Sequence, residues 1–137
     1  MQVIIHRNEN GNVSITAPTA EYLQDHTIEE CAAKDCPDHA IIVDSSELPE
    51  EHNDFFNAWE LNAGKVTVNH TKAQGITKER LRAERAPLLT ALDIQYQRAT
   101  EDGRDTTIII SEKQRLRDVT KLVDTATTLD ELKALSA

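Results

Sequence analysis

The side chains with the most chemical potential lie early in the chain: His26, Cys31, Cys36 and His39. Thiolate and imidazole are soft ligands that suit zinc. Their intervals of four, four and two residues match no common zinc spacing, and on a helix Cys31 and Cys36 would face different sides. The expectation is a pair of structural thiols, reduced in a cytoplasm, because a disulfide within one helix fits poorly. His6, His52 and His70 are scattered and no nucleophile motif accompanies them, so a catalytic triad would rest on residue types alone. Glu47, Glu50, Glu51 and Asp54 offer oxygens to a cation but lack the glycine and alternating ligands of a calcium loop. They read as a solvated loop. Asn69-His70-Thr71 spells a glycosylation acceptor with no secretion signal before it, and reads as a helix start. Arg80, Arg82 and Arg85 alternate with Glu79 and Glu84, which points to a salt-bridged surface first and phosphate binding second. These residues lead to an expectation of no enzymatic activity and no cofactor, with a small metal-dependent hydrolase as the rival.

Composition narrows the classes further. The chain has 137 residues with 4% aromatics and 28% charged side chains, so Leu, Ile, Val and Ala must supply a modest core. Such a core favours a partner or self-association. The net charge of −9 is uneven: residues 1–69 carry three basic and thirteen acidic side chains (−10), whereas residues 70–137 carry twelve and eleven (+1). Neither half is the basic footprint that nucleic acid requires, and the acidic half would repel phosphate. The opening MQVIIHRNENG holds too short an apolar run for a signal peptide, and no stretch approaches the ~20 apolar residues that cross a bilayer. A soluble protein made in a cytoplasm, bound to neither nucleic acid nor membrane, is expected.

The elements that would position these residues form an α+β pattern in two parts, residues 1–69 and 70–137. In the first, QVIIHR and VSITAP flank Asn10-Gly11, a strong turn signal, and predict a β-hairpin. Thr27 and Glu30 form a capping box before a short helix from Ile28 to about Asp35, ended by Pro37. HAIIVD predicts a strand suited to burial on both faces, and SSELPEEHND a loop. A second hairpin closed by Asn62 to Gly64 would carry Phe56, Ala58 or Trp59, Val66 and Val68. Trp59, Phe55 and Phe56 hold most of the aromatic area and should dominate this unit's stability.

From about Asn69 or Thr71 the period becomes helical. Leu81, Leu88, Leu92, Tyr96 and Ala99 make one stripe, polar residues fill the other face, and Pro87 should bend a single helix near Ala83. Gly103 is a natural C-cap, and Asp105 can cap a second helix striped by Ile109, Leu116, Val119 and Val123. The β-branched run Thr106 to Ile110 admits a strand, but the sequence that continues it favours a helix. Thr128 and Glu131 cap a terminal helix presenting Leu129, Leu132 and Leu135. The result is a long antiparallel helical hairpin plus a short C-terminal helix. Ile76, Leu89, Ile94, Ile108, Ile110 and Leu122 fall partly off the stripe; such excess must meet residues 1–69 or another chain, and the favoured reading is another chain.

The stretches IIVDSSELPEEHNDFFNAWEL, GKVTVNHTKAQGITKERLRAERAPLLTALDIQYQRATEDGRDT, EKQRLRDVT and TTLDELKAL together resemble small proteins encoded among the tail genes of bacteriophages and prophages. In that group a compact N-terminal part with VD..ELP and AWEL-like motifs precedes a two-helix tail with R..R...L..LD..Y.RA.E.G, then KQ.LRD and T..ELKAL. The resemblance covers nearly the whole chain, most strongly Ile41 to Leu135. Pro87 and the run TTIII depart from the group's pattern, and no catalytic residue is carried over, since its motif is structural. The resemblance implies a non-enzymatic virion component of the tail, an adaptor or decoration subunit near fibre or baseplate, made in the host cytoplasm. Its partners would be other tail proteins and copies of itself. The docking residues expected on the helical hairpin are Leu81, Leu88, Leu92, Tyr96, Leu116 and Val123. A tail-fibre assembly chaperone that leaves the finished particle is the alternative.

Overall fold

Strand β1 (Gln2–Arg7) runs between β2 (Val13–Thr16) and β3 (Ile41–Asp44) in an antiparallel sheet of the computed structural model, which describes residues 1–137. Neighbouring strand side chains leave on opposite faces. Val3 and Ile5 therefore enter one core and Ile4 another, and all three are buried. HAIIVD is packed on both faces as its composition predicts, Ile41 and Val43 on one side and Ile42 on the other, but incompletely. β3 is an edge strand whose side chains stay half-buried, whereas Val3, Ile4 and Ile5 of the central β1 are sealed. Strand order, not composition, makes the difference.

The loop joining β1 to β2 is tight, as its Asn-Gly pair predicts. Gly11 takes φ +80° and its N–H donates to the Asn8 carbonyl at 3.0 Å, while the Asn8 side-chain oxygen accepts from the N–H groups of Asn10 and Asn12. With Asn8 N–H bonded to Asn12 O, this is a three-residue loop with a glycine bulge. A one-turn helix α1 (Tyr22–Asp25), absent from the sequence reading, precedes α2 (Ile28–Asp35). The Thr27–Glu30 capping box forms as predicted, Thr27 Oγ1 accepting from Glu30 N–H at 3.2 Å and the Glu30 carboxylate from Thr27 N–H at 3.0 Å. Helix α2 covers Ile4 with Ile28 and Cys31, and Cys36 joins this cluster from the helix cap. Both thiols are free, and burial pushes that of Cys31 up.

The opposite face of the sheet meets β4 (Trp59–Asn62) and β5 (Lys65–Val68), joined by Ala63 at φ +50° and Gly64 at φ +80°. Two consecutive left-handed residues make the type I′ turn whose twist suits a β-hairpin. Phe55, Phe56 and Ala58 are not on its strands. The stretch read as a loop winds into 3₁₀ turns, Ser45–Glu47 and Glu50–Ala58, so the strand begins at Trp59. Trp59 is buried, donates from Nε1 to the His52 carbonyl at 3.1 Å and lies 5.0 Å from the Phe56 ring, which pins the 3₁₀ segment to the β-hairpin. The first unit, Met1–Asn69, is thus layered: helix, three-stranded sheet, two-stranded hairpin.

The second unit, His70–Ala137, is helical. Helix α3 (His70–Glu101) runs through Pro87 without interruption, 32 residues or roughly 48 Å at 1.5 Å per residue. It ends at Gly103, φ +69°, where Gly103 N–H bonds to Thr100 O and Arg104 N–H to Ala99 O, the paired bonds of a Schellman cap. Helix α4 (Thr107–Asp118) returns alongside, so the TTIII run is helical. Asp105 was expected at the cap position, which Thr106 occupies instead. The Asp105 carboxylate, one residue earlier, accepts from the N–H and hydroxyl of Thr107. After Asp118 the chain tightens into 3₁₀ turns over Val119–Thr125, then forms α5 (Leu129–Ala134) behind the predicted Thr128 cap. The fold class is α+β, and no helix is long and apolar enough to cross a membrane.

Trp59→Ala should cost about 3–5 kcal/mol, the range for emptying an aromatic site, read as a fall in the urea midpoint followed by circular dichroism. A second test concerns Glu131. Its carboxylate accepts from the N–H groups of Thr127 and Thr128, which holds its pKa below the ordinary value of 4.5. A depressed pKa contributes stability that is present above that value and lost as pH falls through the folded one. Melting midpoints should therefore drop less between pH 5 and pH 3 for Glu131→Gln than for the parent, with the parent higher at pH 7.

Candidate docking surface of the helical hairpin

The residues considered for metal or nucleophilic chemistry lie apart. His26 stacks on Tyr22 at 4.6 Å and contacts Glu30, whereas His39 meets the His6 ring edge-on and the Arg7 carbonyl. Cys31 is sealed beneath α2, and no three His, Cys, Asp or Glu side chains gather as a metal site would need. His52 sits in a 3₁₀ turn beside Glu51, and His70 approaches the Ala126 carbonyl at 3.3 Å.

The three arginines are tied to the unit itself. Arg80 donates to Glu84 at 2.8 Å and to the Leu132 carbonyl at 3.1 Å, and Arg82 pairs with Glu79. Arg85 donates to the carbonyls of Leu116 and Arg117 at 3.3 and 2.8 Å, in the last turn of α4, where the Leu116 carbonyl also accepts from the Val119 N–H. Their role as cross-links between helices has no signature in the local sequence, because the acceptors are backbone atoms more than thirty residues away.

The six expected docking residues divide into two sets. Leu81, Leu116 and Val123 are 0–1% exposed and lie, with Ala73, Thr77, Val119, Ala126 and Leu132, in the core at the base of the helical hairpin. They are consumed within the unit and cannot meet a partner, which corrects their assignment. Thr77 is tolerated there because its hydroxyl donates to the Ala73 carbonyl at 2.9 Å. Leu88 and Tyr96, by contrast, are 44% and 38% exposed, and Leu92 is half-buried.

The reason for the division is coverage. Around Arg80 and Glu84 the terminal helix lies against α3 and buries Leu132 completely. Farther out, α3 and α4 face only each other, and two helices hide just one stripe apiece. Beyond Leu81, Ala99 alone among the α3 residues is fully buried. Ile94, Ile108 and Ile110 add exposures of 48%, 83% and 51% along this distal half. Tyr96, Ile110, Lys113 and Arg117 line a hollow of about 270 Å³, where Lys113 bonds Asp93 at 2.6 Å and lies 5.0 Å from the centre of the Tyr96 ring. This Lys113 contact was missed by the sequence reading, which paired charges only along one helix. Tyr96 and Ile110 give the hollow an apolar side, and Lys113 and Arg117 give it a basic one.

No family model, no curated protein and no solved structure matches this chain.

Leu81→Ala and Leu116→Ala should each lower stability by about 2–5 kcal/mol, whereas Leu88→Ala and Tyr96→Ala should cost under about 1 kcal/mol. Urea unfolding of the four variants checks the division between core and available surface.

Proposed function

We propose that this protein is a non-enzymatic structural subunit of a bacteriophage tail, an adaptor or decoration protein near the fibre or baseplate, which assembles through the distal half of its helical hairpin. The carrying observation is the exposed apolar side chains of the distal half, Tyr96 and Ile110 bordering one hollow, Leu88 two turns away along α3, and Ile94 and Ile108 turned to other sides, on an arm braced at its base by a packed core. Isolated exposed leucines are ordinary, but several large apolar groups within a few helical turns offer area whose burial by a partner is favourable. At about 25 cal/mol per Å², covering these groups supplies the driving force for association without any catalytic group. The assignment to a tail rests on the sequence likeness from Ile41 to Leu135, and the exposed groups are what such a subunit needs to repeat a contact around a symmetric particle.

One feature supports a second reading, a tail-fibre assembly chaperone that departs from the finished particle. Ile94 lies roughly 120° round α3 from Leu88 at 100° per residue, so the exposed groups are not confined to one flat face. A client chain could wrap it.

Light scattering of the purified protein should show a closed oligomer, a trimer or hexamer. Tyr96→Glu with Ile110→Glu should reduce it to a monomer with a melting midpoint within a few degrees of the parent. A concentration-independent monomer for the parent removes self-assembly through this surface. Mass spectrometry of purified virions should find the protein in stoichiometric amount, and its absence there selects the chaperone reading over the structural one.

A further inference from the structure

The first unit contains an unfilled place in its β-layers. Three strands form one layer and two form the other, and β4 packs over β1 and β2. The position over β3, beside β5, is a cleft of about 410 Å³. Its apolar lining is Ile5, Val43, Leu48 and Val66, with Glu47 and Lys65 at its rim. Gly64, Lys65, Val66 and Thr67 all border it although neighbouring strand residues point to opposite faces, so the cleft follows the edge of β5, not one of its faces.

That edge carries unused backbone groups. The residues flanking a two-residue turn, Asn62 and Lys65, form a hydrogen-bonded pair, and such pairs alternate along an antiparallel ladder. Asn69 N–H donating to Ala58 O at 2.8 Å keeps the same phase. Val66 and Val68 therefore turn their N–H and C=O groups away from β4, and neither makes a backbone bond to another element. Val66 is the one that borders the cleft.

We infer that this cleft accepts an extended segment of a partner protein as a third strand beside β5, in which apolar side chains alternate with Lys or Arg. The free edge selects a strand, since main-chain bonds to Val66 supply affinity and the floor receives alternate side chains. Charge selects the sign: the unit carries −10, so basic side chains directed outward are attracted and acidic ones repelled. The lining residues all belong to the first unit, and this inference does not depend on the tail assignment.

The probe is a synthetic peptide of about seven residues, the length of an ordinary strand, alternating lysine with valine or isoleucine. Added to the full-length protein at low salt, it should shift the amide resonances of Val66 and Val68 and slow hydrogen exchange of the Val66 N–H about tenfold or more. The same peptide with glutamate for lysine should do neither. Val66→Pro removes the outward donor without touching the ladder to β4 and should weaken binding about tenfold. Should that variant unfold, Val43→Trp, which fills the floor and leaves every backbone group in place, should abolish binding. Unchanged Val66 exchange with the basic peptide, or equal binding by the acidic one, overturns the inference. Protection of Val66 that rises with protein concentration in the absence of peptide also overturns it, because the occupant would then be a second copy of this chain.

Discussion

A side chain is hidden only where a second element lies over it, and the supply of covering elements governs both units of this protein. With 4% aromatic residues, the chain has few groups large enough to bridge a gap between layers. In the first unit Trp59 and the β-hairpin cover the Val3 and Ile5 face, and α2 covers Ile4. Over β3 the cover is incomplete, and the cleft is the result. In the second unit α5 lies against α3 where Leu81 is sealed, and the distal part of the helical hairpin has no third element. The same shortage produces two open apolar regions of different character. One is a groove with a free strand edge, the other a set of exposed aliphatic and aromatic groups on several sides of the two helices.

The polar interactions decide where each element stops and turns, not how much is buried. The caps at Thr27 and Thr128, the Schellman bonds after Glu101 and the left-handed pair Ala63-Gly64 each satisfy backbone groups that would otherwise be orphaned. Arg80 and Arg85 extend the same logic across helices by donating to carbonyls at the ends of other elements. The exposed ion pairs, such as Arg104 with Asp102, contribute little to stability because water screens them. Their accumulation nonetheless keeps the open apolar regions in charged surroundings, which opposes indiscriminate association.

The charge division fits these roles. An acidic first unit presents a repulsive surface to phosphate, to anionic lipid and to its own copies, leaving basic segments as favoured company. The second unit is close to neutral, so copies can approach through it with little electrostatic penalty.

Local chemistry was legible in the sequence wherever the deciding atoms are near neighbours. The Asn-Gly turn, the Thr27–Glu30 and Thr128–Glu131 caps, Gly103 after the long helix and the burial of Trp59 follow from residue identity over a few positions, because positive φ, a side-chain acceptor or a large apolar ring acts locally. The helical period also outweighed the β-branched run at Thr106 to Ile110, as the continuing polar-apolar pattern indicated. What tertiary structure alone decided is which apolar residues are spent. Leu81 and Leu88 are seven residues apart on one stripe and chemically identical, yet one is sealed and the other 44% exposed. The run at Ile41 to Val43 suits burial on both faces but lies at an edge and stays half-buried, and the 3₁₀ winding of Glu50 to Ala58 displaced Phe56 from a strand. These outcomes depend on what packs against a residue from distant parts of the chain, and periodicity describes a face without saying what will cover it.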